Sequence, residues 1–442
     1  MNGESDMALA EQVEPGEAAE APDAAEHPDL DRLEATAEVD PDLFAHASDE
    51  PPFGRRVLTT PLHLSVAAES STNLWTDWNG YTTPEILTSL DDEYRVLRHA
   101  AALGDISPIV KYRISGRDAG AYLDRLVTGN VMQLSVDEAM PVVFCEDRGF
   151  VVGDGHLFRL GEGEYRLVTE ETHLAWLLDS ALGFQVRIED VSATLAALSL
   201  QGPHAAAVLN AAGFCEIETL RPYGARWFDI SGMPVYASRT GATGELGYEL
   251  WLDPEDAPML WARLFDKGAE FGIAATGFAL RELARIEVGI PRAGCDYLGA
   301  FTAVDPADAS TPFELGLASL VDLDGGHFTG REALRRLKQR EPRHLVVALA
   351  LDFPEPIQFC AIERDGGIEG IVTSSGFSQA LGVNLALGRL RYAASVGALA
   401  VGVDFREGLR VRRLKIPARL LTEPAIISPL RHTVPAPLLA DY

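Results

Sequence analysis

Two successive stretches of this 442-residue chain run through the same order of elements, and that order constrains the fold more than any single motif. Residues 111–115 alternate like a strand. Gly116-Arg117-Asp118 then turns into a helix with Ala119, Tyr122, Leu123 and Leu126 on one side, stopped by Gly129. Residues 142–145 and 155–160 read as strands joined by the turn Glu146-Asp147-Arg148-Gly149. Residues 165–168 continue the sheet, and 173–182 form a helix ended by Gly183. The second pass opens with a strand over 194–200 and a helix from Gly202-Pro203 to Gly213, with proline at its first position. Strands over 225–230 and 234–238 lead into a glycine-rich turn. Asp253-Pro254-Glu255-Asp256 then starts a helix expected to bury Met259, Leu260, Leu264 and Phe265, and 277–289 is a further helix. This βαββα-like order, run twice, predicts an α+β body of two related lobes.

The flanks read differently. Before the first pass, Ser89-Leu90-Asp91-Asp92 starts a helix that runs to Leu103 and is ended by Gly104, with Asp105-Ile106-Ser107-Pro108 as a strand entry. Trp75, Trp78 and Tyr81 form an aromatic cluster that is either core or pocket wall. A helix over 330–340 closes the α+β body. From His344 onward, short alternating runs (345–351, 368–373, 385–390, 409–414, 418–421) are broken by Gly and Pro, which predicts an all-β barrel or sandwich.

The formal net charge of −29 is unevenly spread: residues 1–54 hold 16 Asp and Glu against one Arg. With almost no aromatic or β-branched residues, that segment reads as a disordered acidic tail, with a short exposed helix possible over 30–37. The expected domains are therefore the tail at 1–54, the α+β region at 55–340 (lobes near 55–192 and 193–340), the β domain at 341–430 and a tail at 431–442. An acidic surface disfavours nucleic acid and anionic membrane as partners. Cys145, Cys215, Cys295 and Cys360 are far apart and form no metal-ligand cluster, which fits a reducing compartment. There is no leader-like N-terminus and no long apolar run, so the expected location is cytoplasmic.

The glycine-rich turn Arg239-Thr240-Gly241-Ala242-Thr243-Gly244-Glu245-Leu246-Gly247-Tyr248-Glu249 is the strongest local candidate for a ligand site. Glycine every third residue lets a ligand approach the backbone, and Glu245 and Glu249 stand four apart across it. If the exit is a strand, Tyr248 and Leu250 face one side while Glu249 and Trp251 face the other. The alternative is a plain hairpin with two solvated glutamates. Arg281 and Arg285 share a helix face, either as an exposed ion-pair surface or as a guanidinium fork for a carboxylate or planar heterocycle. Asp154, between Gly153 and Gly155, is either a hairpin aspartate bonding its own backbone or a carboxylate set for acid–base work.

Taken together and in order, these segments resemble the folate-dependent aminomethyltransferases, the family of the glycine cleavage T-protein. The matching segments include Asp105-Ile106-Ser107, Gly149 to Asp154, Gln201-Gly202-Pro203, Arg239 to Glu249, Leu280 to Glu287, Thr311-Pro312-Phe313-Glu314-Leu315-Gly316-Leu317, Phe328 to Leu334 and Thr373 to Ser378. The resemblance spans residues 57–425 or so. It implies a three-domain cloverleaf, two α+β lobes and a C-terminal β-barrel, around a channel for tetrahydrofolate. It also implies that Glu249 bonds the pterin, Arg281 lies beside the folate, Asp154 is the catalytic acid, and Tyr248, Glu245 and Thr169 help to bind the cofactor.

The chain departs from the family pattern on the donor side. The Asp-Asp pair is Gly153-Asp154 here, and Glu146, Ala242, Pro108 and Glu282 replace an asparagine, a tyrosine, a histidine and an aspartate. The function expected is transfer of a methyl or methylene group from a small N-, S- or O-methylated metabolite to tetrahydrofolate. The alternatives are the glycine-cleavage aminomethyltransferase, which would need a lipoyl carrier protein as partner, and a non-enzymatic folate-binding protein.

Overall fold

The computed structural model of the protein describes residues 57–394, 397–407, 410–432 and 434. The acidic segment 1–54, its short helix and most of the 431–442 tail lie outside the described residues. The first elements are α1 (His63–Glu69), β1 (Leu74–Trp78), β2 (Tyr81–Ile86), α2 (Leu90–His99) and β3 (Ala101–Asp105). A first unit follows: β4 (Val110–Ser115), α3 (Ala119–Leu126), β5 (Glu138–Cys145), β6 (Val151–Gly161), β7 (Glu164–Thr169), α4 (Leu174–Ser180) and β8 (Arg187–Asp190). The second has the same order: β9 (Ala196–Gln201), α5 (Ala205–Ala212), β10 (Ala225–Ile230), β11 (Met233–Ser238), β12 (Gly247–Leu252), α6 (Ala257–Gly268) and β13 (Ile273–Thr276). The repeat is therefore βαβββαβ, which adds to the βαββα-like order expected a third strand between the helices and a strand after the second helix.

The two sheets show the same kinship. The first is β5-β6-β7-β4-β8 and the second β10-β11-β12-β9-β3-β13, the same arrangement with β3 wedged between its last two strands. β3 pairs antiparallel with β9 and parallel with β13. This corrects the long helix expected over 89–103. The Ser89 hydroxyl does accept from the Asp92 amide at 3.1 Å, so the start holds, but α2 ends at His99. Ala101 and Leu103 are fully buried inside the six-stranded sheet, and an interior strand needs a continuous apolar run that helical periodicity imitates. Because β3 belongs to the second sheet, the two sheets are not contiguous halves of the sequence meeting near residue 192.

Two smaller expectations also change. Pro203 precedes α5, whose first residue is Ala205. On α6, Met259 is 56% exposed and Trp261 takes its place in the core beside Leu260 and Leu264, while Phe265 packs at the margin.

Helix α7 (Phe278–Val288), framed by Gly277 and Gly289, and α8 (Arg331–Leu337) lead into the C-terminal strands β14 (His344–Leu351), β15 (Ala361–Arg364), β16 (Gly367–Ser378), β17 (Val383–Arg391), β18 (Leu399–Glu407) and β19 (Arg410–Leu421). They close into a barrel in the order β14-β17-β16-β15-β18-β19. β15 and β18 had no counterpart in the sequence reading, and β19 is one long strand where two runs were expected. Apolar layers pack each sheet against its helices. A further layer of Trp78, Ile106, Phe158, Ala197, Tyr236 and Trp251 lies between the two sheets. Among the described residues no helix is long and apolar enough to cross a membrane.

Candidate active site

At one end of that inter-sheet layer opens a cavity of about 720 Å³, its mouth included, walled by Trp78, Asp105, Gln201, Glu249, Phe278 and Arg281 among others. The glycine-rich turn forms part of the wall, and its composition has a steric cause. A Cβ at Gly247 would stand 1.8 Å from the Gln201 side-chain oxygen, and one at Gly241 would stand 2.3 Å from it. Gln201 is held there by bonds to Thr243, Ser199 and the Thr240 carbonyl. The two motifs read separately in the sequence thus lock into each other.

β12 alternates as expected. Tyr248 and Leu250 enter the helix-side core, Trp251 enters the inter-sheet layer, and Glu249 faces the cavity. The Thr240 hydroxyl donates to Glu249 Oε2 at 2.5 Å. Burial raises the Glu249 carboxyl, with Thr240 and Arg281 opposing that rise.

Across the cavity, α7 presents Arg281. Its guanidinium stacks 4.7 Å over the Trp78 ring and is paired with Glu170, while Arg281 Nη1 and Glu170 Oε2 are buried without a hydrogen-bond partner. Trp78 is therefore both core and pocket wall. Arg285, one turn on, is no exposed ion-pair residue: it is 3% exposed and bonds Asp296 at 2.7 Å, Glu282 at 2.8 Å and Ser374 of the barrel at 2.8 Å. It fastens α7 to the barrel, whereas Arg281, paired with Glu170 and 3.7 Å from Glu282, lines the cavity.

Asp154 lies on β6 opposite Val143 and accepts a hydrogen bond from the Tyr297 hydroxyl. Burial, together with the charges of Glu170 and Glu171, pushes its carboxyl from 3.8 up to about 6, against the pull of Tyr297. Gly153 beside it is glycine by necessity: a Cβ there would meet His173 Nε2 at 2.4 Å and the Phe144 ring at 2.7 Å. His173 occupies the room a second acid would need, and burial lowers its imidazole to about 4, so it is neutral.

The six residues expected at the site therefore separate. Glu249 and Arg281 line the cavity, and Asp154 sits in the acidic group next to it, coupled to Arg281's partner Glu170. Tyr248, Glu245 and Thr169 are not among the cavity walls. Tyr248 points the opposite way from Glu249 into the core. Glu245 is engaged by Arg98 at 2.8 Å, in a network that Arg98 extends to Glu287. The Thr169 hydroxyl turns to the Glu171 carbonyl at 2.8 Å and closes the turn that carries the two glutamates.

Asp105 in the cavity wall escaped the sequence reading as a site residue, although an acid ending the apolar run Ala101–Leu103 was a usable signal. Burial raises its carboxyl, and Thr60 and the Ser107 amide bond it. Lys111, fully buried next to it, donates to the Ser107 carbonyl at 2.6 Å.

Comparison with known proteins places this geometry. A family model described as the GCVT N-terminal domain matches residues 65–325. Aminomethyltransferases are similar over most of their length. The Moorella thermoacetica protein is 32% identical, with 76% of this chain and 90% of the relative covered, and the Symbiobacterium thermophilum protein is 32% identical, with 84% and 97% covered. The chain belongs to the aminomethyltransferase family.

The fold agrees. The glycine cleavage system aminomethyltransferase T from Bartonella henselae superposes with a TM-score of 0.73 at 24% identity, covering 86% of this chain and 99% of that one. As a member of this family the chain is a folate-dependent one-carbon transferase, and tetrahydrofolate is its cosubstrate. The cavity offers such a molecule polar groups from facing elements: Glu249 supplies an acceptor, and Arg281, whose guanidinium covers the Trp78 ring, supplies a donor.

Proposed function

We propose that this aminomethyltransferase-family chain moves a one-carbon unit from a nitrogen-borne donor to tetrahydrofolate, with Glu249 and Arg281 binding the folate and Asp154 serving the reacting side. The observation that carries this reading is the placement of Glu249 and Arg281 across one cavity, with the raised carboxyl of Asp154 linked to it through Glu170. The bound folate supplies a nucleophilic ring nitrogen. Glu249 accepts hydrogen bonds from ring N–H groups and so fixes the orientation of that nitrogen. Asp154, with its proton shared against Tyr297, is poised near neutral pH to hold or take a proton there. As the new carbon–nitrogen bond forms, the bond to the donor atom breaks, its electron pair leaves with that atom, and the folate nitrogen gives up its proton.

The named relatives favour an aminomethyl donor, which would be carried on the lipoyl arm of a partner protein. A small N-, S- or O-methylated metabolite is the second reading, and it is favoured by the rebuilt surroundings of Asp154: Gly153 and His173 stand where a second acid would be. The test is a titration of purified protein with tetrahydrofolate, with Glu249→Ala and Asp154→Asn alongside. Transfer assays against an aminomethyl-lipoyl carrier and a panel of methylated compounds follow. Saturable binding that is weakened in Glu249→Ala and kept in Asp154→Asn is expected, and no binding by wild type refutes the proposal.

A further inference from the structure

A second cavity, about 740 Å³ with its mouth included, lies on the other side of the turn that carries Glu170 and Glu171. Val152, Leu174, Trp176 and Phe301 supply its apolar walls, and Glu171, His173, Thr172 and Thr302 its polar ones. The two glutamates divide the work: Glu170 pairs with Arg281 of the folate cavity, whereas Glu171 lines this one. Its position relative to Asp154 is close. Val152 is two residues away along β6, and the Glu171 charge helps to hold the Asp154 carboxyl up.

Three features restrict what this cavity can take. Trp176 and Phe301 form a tilted aromatic pair with ring centroids 5.0 Å apart, and Phe301 is 60% exposed. The Glu171 carboxylate has no hydrogen-bond or ion-pair partner among the described residues. The nearby cation, Arg292, is bonded to Glu282 at 3.1 Å. Finally, Trp176 Nε1 is a buried donor without an acceptor. An aromatic pair facing a lone carboxylate attracts a cation through ring quadrupole and charge together, and apolar walls favour one that carries methyl groups rather than N–H donors.

We propose that the second cavity binds a methylated ammonium group, set against the Trp176–Phe301 aromatic wall and faced by Glu171. Among the described residues none lines both cavities, so this site stands apart from the folate cavity and its occupant is independent of the transfer proposed above.

The test uses the full chain, with choline as the cationic probe and 3,3-dimethyl-1-butanol as its uncharged isostere, each titrated calorimetrically. Choline is expected to bind about ten-fold more tightly than the alcohol, in line with a cation–π and carboxylate contribution. Phe301→Ala, a change at an exposed side chain, is expected to weaken choline several-fold. Glu171→Gln is expected to weaken choline and to leave the alcohol unchanged. Choline that binds no more tightly than its isostere, or that ignores both substitutions, overturns the inference. Tetrahydrofolate titrated in the same samples separates the two proposals. Folate binding without the preference for choline sinks the cation site alone, whereas the preference without folate binding sinks the folate site and leaves the cation site standing.

Discussion

Replacing Asp154 with Asn should make the protein more stable while it removes most of its activity. The fold raises the Asp154 carboxyl from 3.8 to about 6, chiefly through burial and the Glu170 and Glu171 charges. A carboxyl raised in the folded state is one that the fold prefers neutral. Below pH 3.8 both folded and unfolded chains hold the proton and there is no penalty. As pH rises through 6 the folded chain must ionise a group that the unfolded chain ionised earlier, and the penalty becomes complete. At about 1.4 kcal/mol for each pH unit, the rise amounts to about 3 kcal/mol above pH 6, an upper bound because Asp154 keeps some solvent contact. Asparagine preserves the size and the acceptor for the Tyr297 hydroxyl without the charge. Urea unfolding of both proteins should therefore show the variant ahead by up to about 3 kcal/mol at pH 8 and by about half of that at pH 5. Transfer activity should fall by about 10²–10³-fold. A variant less stable than wild type at pH 8, or a gap that does not change with pH, would refute the reasoning and leave Asp154 as an ordinary paired aspartate.

Glu249→Ala should weaken tetrahydrofolate binding by about 10–100-fold, the equivalent of a hydrogen bond to a charged group; calorimetry that finds an unchanged affinity contradicts the placement of the ring against Glu249. Gly247→Ala drives a methyl group to within 1.8 Å of a Gln201 side chain that is held by three bonds, so a loss of about 2–4 kcal/mol is expected, with partial recovery in the Gly247→Ala, Gln201→Ala double variant. Additive losses would mean that the clash is not with Gln201. Lys111 is fully buried, and burial pulls it from 10.5 down to about 7 against the opposing pull of Asp105. Its folded value lies below its unfolded one, so the cost of its charge is largest below pH 7 and fades as pH climbs towards 10.5. The stability advantage of Lys111→Met should therefore shrink by about 3 kcal/mol between pH 7 and 9.5 in urea titrations, and a constant difference would exclude a neutralised lysine at neutral pH.

Periodicity carried most of the architecture because the elements with one apolar face announce themselves: α7 lies between the glycines expected, and β12 alternates as read. It failed at β3 for a physical reason. A strand buried on both faces is continuously apolar, so Ala101 to Leu103 looked like the tail of the amphipathic helix before it, and only pairing with β9 and β13, distant in sequence, decides otherwise. In the site, spacing marked which residues could act but not which way they turn once charges compete. Glu245 and Glu249 are equivalent as sequence, yet Arg98 binds the first, and the second is left to the cavity. Arg281 and Arg285 are equivalent in the same sense, and Asp296 and Ser374 take the second. In each pair the residue that remains for a ligand is the one its neighbours leave incompletely satisfied, and that condition belongs to three-dimensional packing alone. The same criterion, applied to Glu171 and the Trp176 indole, is what marks the second cavity as a binding site although no motif runs through it.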